Sequence, residues 1–100
     1  MAGSRKNTEQ KPEDFVQHHD GHASITLSRP MNVGGAPVTA LKMREPLLRD
    51  QVAMQEQKGT DLEREIFLFA NLCEITPDQL KALPVRDYNR IVAAYVGFPS

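Results

Sequence analysis

Three histidines crowd one short stretch, His18-His19-Asp20-Gly21-His22, the densest set of metal-ligating side chains in the sequence. Imidazoles with a carboxylate can hold zinc or copper. Here they fall in a polar N-terminal stretch that offers no surrounding groups to fix tautomer or geometry. A solvated tail is the expectation, and no metal is assigned. Asp61, Glu63 and Glu65 could be imagined as paired carboxylates for acid-base work. They stand where a helix opens, and negative charge there complements the helix dipole. Cys73 is the single cysteine. It has no disulfide partner in the chain, and no neighbouring base or cation marks it as a thiolate. It sits in an apolar helical run, where cysteine behaves as a small hydrophobe. Tyr88 and Tyr95, seven apart, suit a helix face better than a base-stacking platform. Gly34-Gly35 lies between two strand patterns, so it is a turn rather than a phosphate loop. No nucleophile motif or phosphate-binding spacing occurs. No catalytic, cofactor-binding or metal residue is assigned, and an enzyme is not expected.

The elements that hold these residues set the fold class. Residues 1–23 are mostly polar around an isolated Phe15-Val16 pair, a composition that cannot offset its ordering entropy. They are expected to form a flexible arm ahead of one domain spanning residues 24–100. A domain of that size draws only a few kcal/mol from its core and often gains stability by self-association or docking. Residues 24–33 and 37–43 alternate as strands, with Arg29 and Pro30 interrupting the first. A three-residue loop, Gly34-Gly35-Ala36, keeps one apolar face by opposing Leu27 with Met43 and Met31 with Thr39. A bulge near Pro30 would shift that register. The outer edges of such a ribbon invite another chain.

Helices follow. Residues 47–57, after Pro46, are weakly amphipathic through Leu48, Val52 and Met54. Thr60-Asp61-Leu62-Glu63 is a capping box that opens a helix to Cys73. Leu62, Ile66, Phe69 and Cys73 form its stripe, widened by Leu68, Ala70 and Leu72, with Phe67 further round. That arc exceeds the width of an ordinary surface helix, so part of it faces either the core or another molecule. Thr76-Pro77-Asp78-Gln79 is a second box, with Ile75 and Leu80 placed as a hydrophobic staple. The last helix covers residues 85–96. Val85, Tyr88, Ile91, Val92, Tyr95 and Val96 are expected to face inward, with Arg86, Asp87 and Arg90 outward. The expectation is an α+β fold: an N-terminal β-hairpin, then three to four short α-helices.

Charge narrows the partners. The net formal charge is −1, and from Ile25 onward nine basic residues are interspersed with nine acidic ones. Nucleic acid is not an expected partner, since phosphate binding needs clustered Lys and Arg. A helix-turn-helix over residues 62–83 would present Asp78, Gln79 and Lys81, a poor reader of an anionic groove. No apolar run approaches the roughly 20 residues of a membrane span, and the start lacks a signal peptide's apolar segment. No membrane partner is expected, and the protein is expected in the cytoplasm.

Ordered motifs then carry a resemblance. They are Ile25-Thr26-Leu27-Ser28-Arg29-Pro30, Gly35, residues 38–46 and Arg49-Asp50. Residues 61–72, Ile75-Thr76-Pro77-Asp78-Gln79-Leu80 and residues 83–88 follow. In this order the chain resembles the small tail assembly chaperones of contractile-tailed, Mu-like bacteriophages. The resemblance implies a non-enzymatic protein of the infected bacterial cytoplasm. It would bind the helical tape-measure protein, help tail tube subunits assemble around it, and leave before the virion is complete. No cofactor is implied. Phe67 and Leu68 are the expected partner-binding residues, and with the hairpin they are expected to contribute self-association or client surfaces. A permanent structural tail protein is the nearest alternative, and a small nucleic-acid-binding regulator a more distant one.

Overall fold

The computed structural model describes residues 10–99. A 3-10 turn (Pro12–Phe15) leads into β1 (Val16–His19), β2 (His22–Val33) and β3 (Ala36–Arg44). Four helices follow: α1 (Leu48–Glu56), α2 (Asp61–Cys73), α3 (Pro77–Lys81) and α4 (Val85–Val96). The strands form one antiparallel sheet in the order β1-β2-β3. The α+β class and the hairpin-then-helices order are as expected, with a third strand added at the front.

That strand corrects the flexible arm. The expectation for residues 1–9 lies outside the described residues. From Pro12 the chain is structured, with Val16 opposite Ile25 and His19 opposite His22 across the Asp20-Gly21 turn. Averaged composition hides the reason. Val16 packs against the core, and the Phe15 ring lies beneath the Arg90 guanidinium, 3.4 Å from its centroid. The Phe15-Val16 pair is therefore not isolated once the chain folds. Gly21 takes φ 84°, which the turn requires and a side chain would resist.

The hairpin loop is also corrected. Gly34 and Gly35 have φ of 60° and 85°, and Val33 pairs with Ala36, so the loop is the two-residue kind. The bulge, not an extra loop residue, brings the apolar side chains to one face. The register shifts between Thr26 and Met31, where four β2 residues stand against Thr39 alone. Pro30, which cannot donate to a ladder, lies in that bulge. On the core side of it Ile25 opposes Leu41 and Ala23 opposes Met43, all four buried.

The bulge is closed from α4. The Asp87 carboxylate accepts from the Ser28 backbone N–H and from its hydroxyl, both at 2.8 Å. Arg90 donates to the Thr26 carbonyl at 2.8 Å and stands 3.8 Å from Asp87. Asp87 is fully buried and Arg90 nearly so. The outward placing of these two residues is thus reversed. The buried stripe is Asp87, Arg90, Ile91 and Ala94, while Val85 and Val96 are 75% and 72% exposed. Helical spacing allows both faces, and the unpaired bulge backbone chooses the charged one.

The sheet's apolar face packs under α2 and α4. Phe69 of α2 meets Tyr88 and Tyr95 of α4 at 5.8 and 5.2 Å between ring centroids. Both expected capping boxes form. The Glu63 N–H donates to the Thr60 hydroxyl while the Thr60 N–H donates to Glu63, and Thr76 and Gln79 repeat the exchange. Asp50 ties α1 to the sheet. Its carboxylate takes two 2.8 Å bonds from Arg44 and one from the Leu47 N–H. Bonding to Arg44, then to Leu47, holds this carboxyl below the usual range against the opposing effect of burial.

Two outcomes are expected. Asp87→Ala leaves Ser28 and Arg90 without their partner, so urea unfolding should show a loss of about 2–4 kcal/mol, against about 1 for Ser28→Ala. The lowered Asp50 carboxyl contributes stability that is complete above its unfolded value of about 3.9 and is lost as pH falls toward its folded value. Asp50→Asn should therefore be less stable at neutral pH, and the gap between the two proteins should narrow on acidification below about pH 4.

Candidate functional site

Once the core closes, apolar side chains remain on the outside. Leu62 on α2 is 56% exposed. It lies one turn before Ile66, and with Leu80, Leu83, Val85 and Tyr88 these residues line an open groove of about 250 Å³. Two features of the sequence place it there. The Thr60 cap starts α2 so that Leu62 and Ile66 share a side, i to i+4. Asp87 turns α4 so that Val85 and Tyr88, i to i+3, point away from the sheet edge it holds. The Tyr88 hydroxyl donates to the Glu65 carboxylate, bracing the groove wall across α2 and α4. Burial, reinforced by Glu65, raises the Tyr88 phenol well above the ordinary tyrosine value. It stays protonated and serves as a donor. Lys81 supplies the charge at the rim. A second apolar strip, Leu48 and Val52 with Leu47, faces out from α1, while Met54 packs inward.

The expected partner residues separate. Leu68 is 3% exposed within the core, so it is corrected from partner residue to core residue. Phe67 beside it is only partly buried. The wide apolar arc of α2 is mostly consumed by α1, the sheet and the α4 rings, and its Leu62–Ile66 side is what stays open. The sequence signal for that side was the same arc; the covering element decides which margin is free.

The chemistry-bearing residues have structural roles. His18 Nε2 donates to the Ala94 carbonyl at 2.8 Å, which fixes the proton on that nitrogen. His19 and His22 stack with ring centroids 4.7 Å apart. Among the described residues no group of three or more His, Cys, Asp or Glu side chains is arranged to hold a metal. Asp61 pairs with Arg64, and Glu63 caps α2. Cys73 is buried, and desolvation pushes its thiol up to about 12.

Surface and core should respond differently to substitution. Leu62→Asn and Val85→Asn should each change unfolding free energy by less than about 0.5 kcal/mol, whereas Leu68→Ala should cost about 2–4. Urea titration of the three variants measures this.

No helix among the described residues is long and apolar enough to cross a membrane. Comparison with curated proteins and with solved structures finds no match to this chain. A family model does match, described as phage tail assembly chaperone proteins, E, or 41 or 14, and it covers residues 24–99. The exposed groove lies wholly inside that span, as do the bulge and the two residues that close it. On a match across three quarters of its length, this chain belongs to the phage tail assembly chaperone family.

Proposed function

We propose that the protein binds the tape-measure protein of a contractile tail in the cytoplasm of the infected bacterium, without catalysis, and releases it as the tube closes. The observation that carries this reading is the groove with Leu62 and Val85 exposed on its walls. A helical client exposes an apolar stripe, and an open groove between helices accepts such a stripe by its i, i+3, i+4 side chains. Partly buried Phe67 does not line the groove, and a lesser contact is assigned to it on the adjoining face of α2. The groove is open to solvent and small, with Lys81 its one charged lining residue, which suits an affinity modest enough for displacement by tube subunits. The titratable groups support a binding role over a reactive one. Asp50 and Asp87 hold the backbone, Cys73 is kept as a thiol, and Tyr88 braces the groove.

Charge placed in the groove tests this. Leu62→Asp with Val85→Asp should reduce co-purification with the tape-measure protein at least about tenfold while the chain stays folded, and Phe67→Asp should give a smaller loss. Undiminished recovery of the tape-measure protein by the folded double variant would sink the groove as the client site. Mass spectrometry of purified virions should find the protein missing, and stoichiometric amounts there would make it a permanent tail part.

A further inference from the structure

The segment before the family-matched span fills a cleft of its own. Residues 12–19 cross the outer edge of β2 and run along α4, and Phe15, Val16 and His18 each have a receptor. Phe15 lies under Arg90, and Val16 packs on the core opposite Ile25. His18 bonds to the Ala94 carbonyl and meets the Phe98 ring edge-on at 5.0 Å. Gly97 leaves the room for it, since a Cβ there would stand 2.3 Å from His18 Cε1. The cleft thus reads a main-chain edge and alternate side chains together, as strand-addition sites do.

We propose that this cleft is a strand-exchange site, able to take the 12–19 segment of a second copy of the chain in place of its own. The tether is weak. β1 has four paired positions, and Gln17, His18 and His19 are exposed, so its release gives up only the Phe15 cover of Arg90, the Val16 packing and the His18 bond to Ala94 besides the ladder. Such local opening lies far below global unfolding. The pivot is defined. Glu45 N–H donates to the Gly21 carbonyl at 3.0 Å, which holds the β2 side of the turn while Asp20 stays exposed. Straightening Asp20-Gly21 lets β1 continue the line of β2 into a neighbour. A second copy's Phe15, Val16 and His18 make the same contacts in trans, so closed and exchanged forms differ only at the hinge and in their dependence on concentration. Each cleft would then be completed by its partner, and two copies would become linked. This proposal is independent of the client groove and stands or falls without it.

The test uses the full chain with Gln17→Cys and Ser24→Cys, a directly opposed pair within disulfide reach. Buried Cys73 stays out of the exchange. Oxidation of dilute protein should give a covalent monomer. Oxidation after prolonged concentration should give a dimer on a non-reducing gel, with peptide mapping showing the 17–24 link between chains. Gly21→Val, whose Cβ would meet no atom within 4 Å but strains the positive φ, should lower the dimer dissociation constant about tenfold by light scattering. Monomer alone at every concentration overturns the proposal, and so does a dimer lacking the 17–24 link. If Gly21→Val fails to fold, the cysteine experiment still decides.

Discussion

One charged pair, reaching from α4 into a broken strand, governs the arrangement. β2 cannot keep its ladder through Arg29 and Pro30, and the backbone around Thr26 and Ser28 needs partners from elsewhere. Asp87 supplies the acceptor and Arg90 the donor, one turn apart on the same side of α4. Burying two charges is costly unless each is fully hydrogen-bonded, and their mutual approach with three backbone or hydroxyl contacts meets that condition. No buried side-chain polar atom among the described residues is left unsatisfied. The pair also fixes the rotation of α4. With Asp87 inward, Ile91 and Ala94 follow it into the core, and Val85 must turn out. The exposed groove wall is therefore a consequence of how the sheet is repaired.

The legible parts of the fold were those decided within a few residues. The Thr60 and Thr76 boxes need only four positions each, and both formed as read. The helix bounds followed closely. The turn at Gly34-Gly35 was visible, but its length was not, because facing could be met either by an extra loop residue or by a bulge. Residues far apart made the choice: a carboxylate 59 positions from Ser28 stabilises the bulge. The same distance explains α4, where a hydropathy reading sends Asp87 and Arg90 outward. Asp20-Gly21 was a turn signal in plain view, masked by the polar composition around it. On α2 the apolar arc was legible while its free margin was not. Leu68 and Leu62 look alike in sequence, and only the position of the sheet separates core from surface.

Size imposes a further limit. A chain this short has few elements with which to cover its apolar faces. The sheet takes one side of α2 and α4, and α1 is fastened by Arg44 and Asp50 with its own Leu48 and Val52 facing out. For an isolated domain these exposures would be a liability. In a phage tail assembly chaperone, which implies protein partners in tail assembly, such faces are where the proposed contacts would fall.

The receptor for His18 also sets an order of events at the ribosome. It is built from the Ala94 carbonyl, Gly97 and the Phe98 ring, nearly eighty positions later in translation. The first strand emerges early yet has no complete seat until that distant stretch has cleared the exit tunnel.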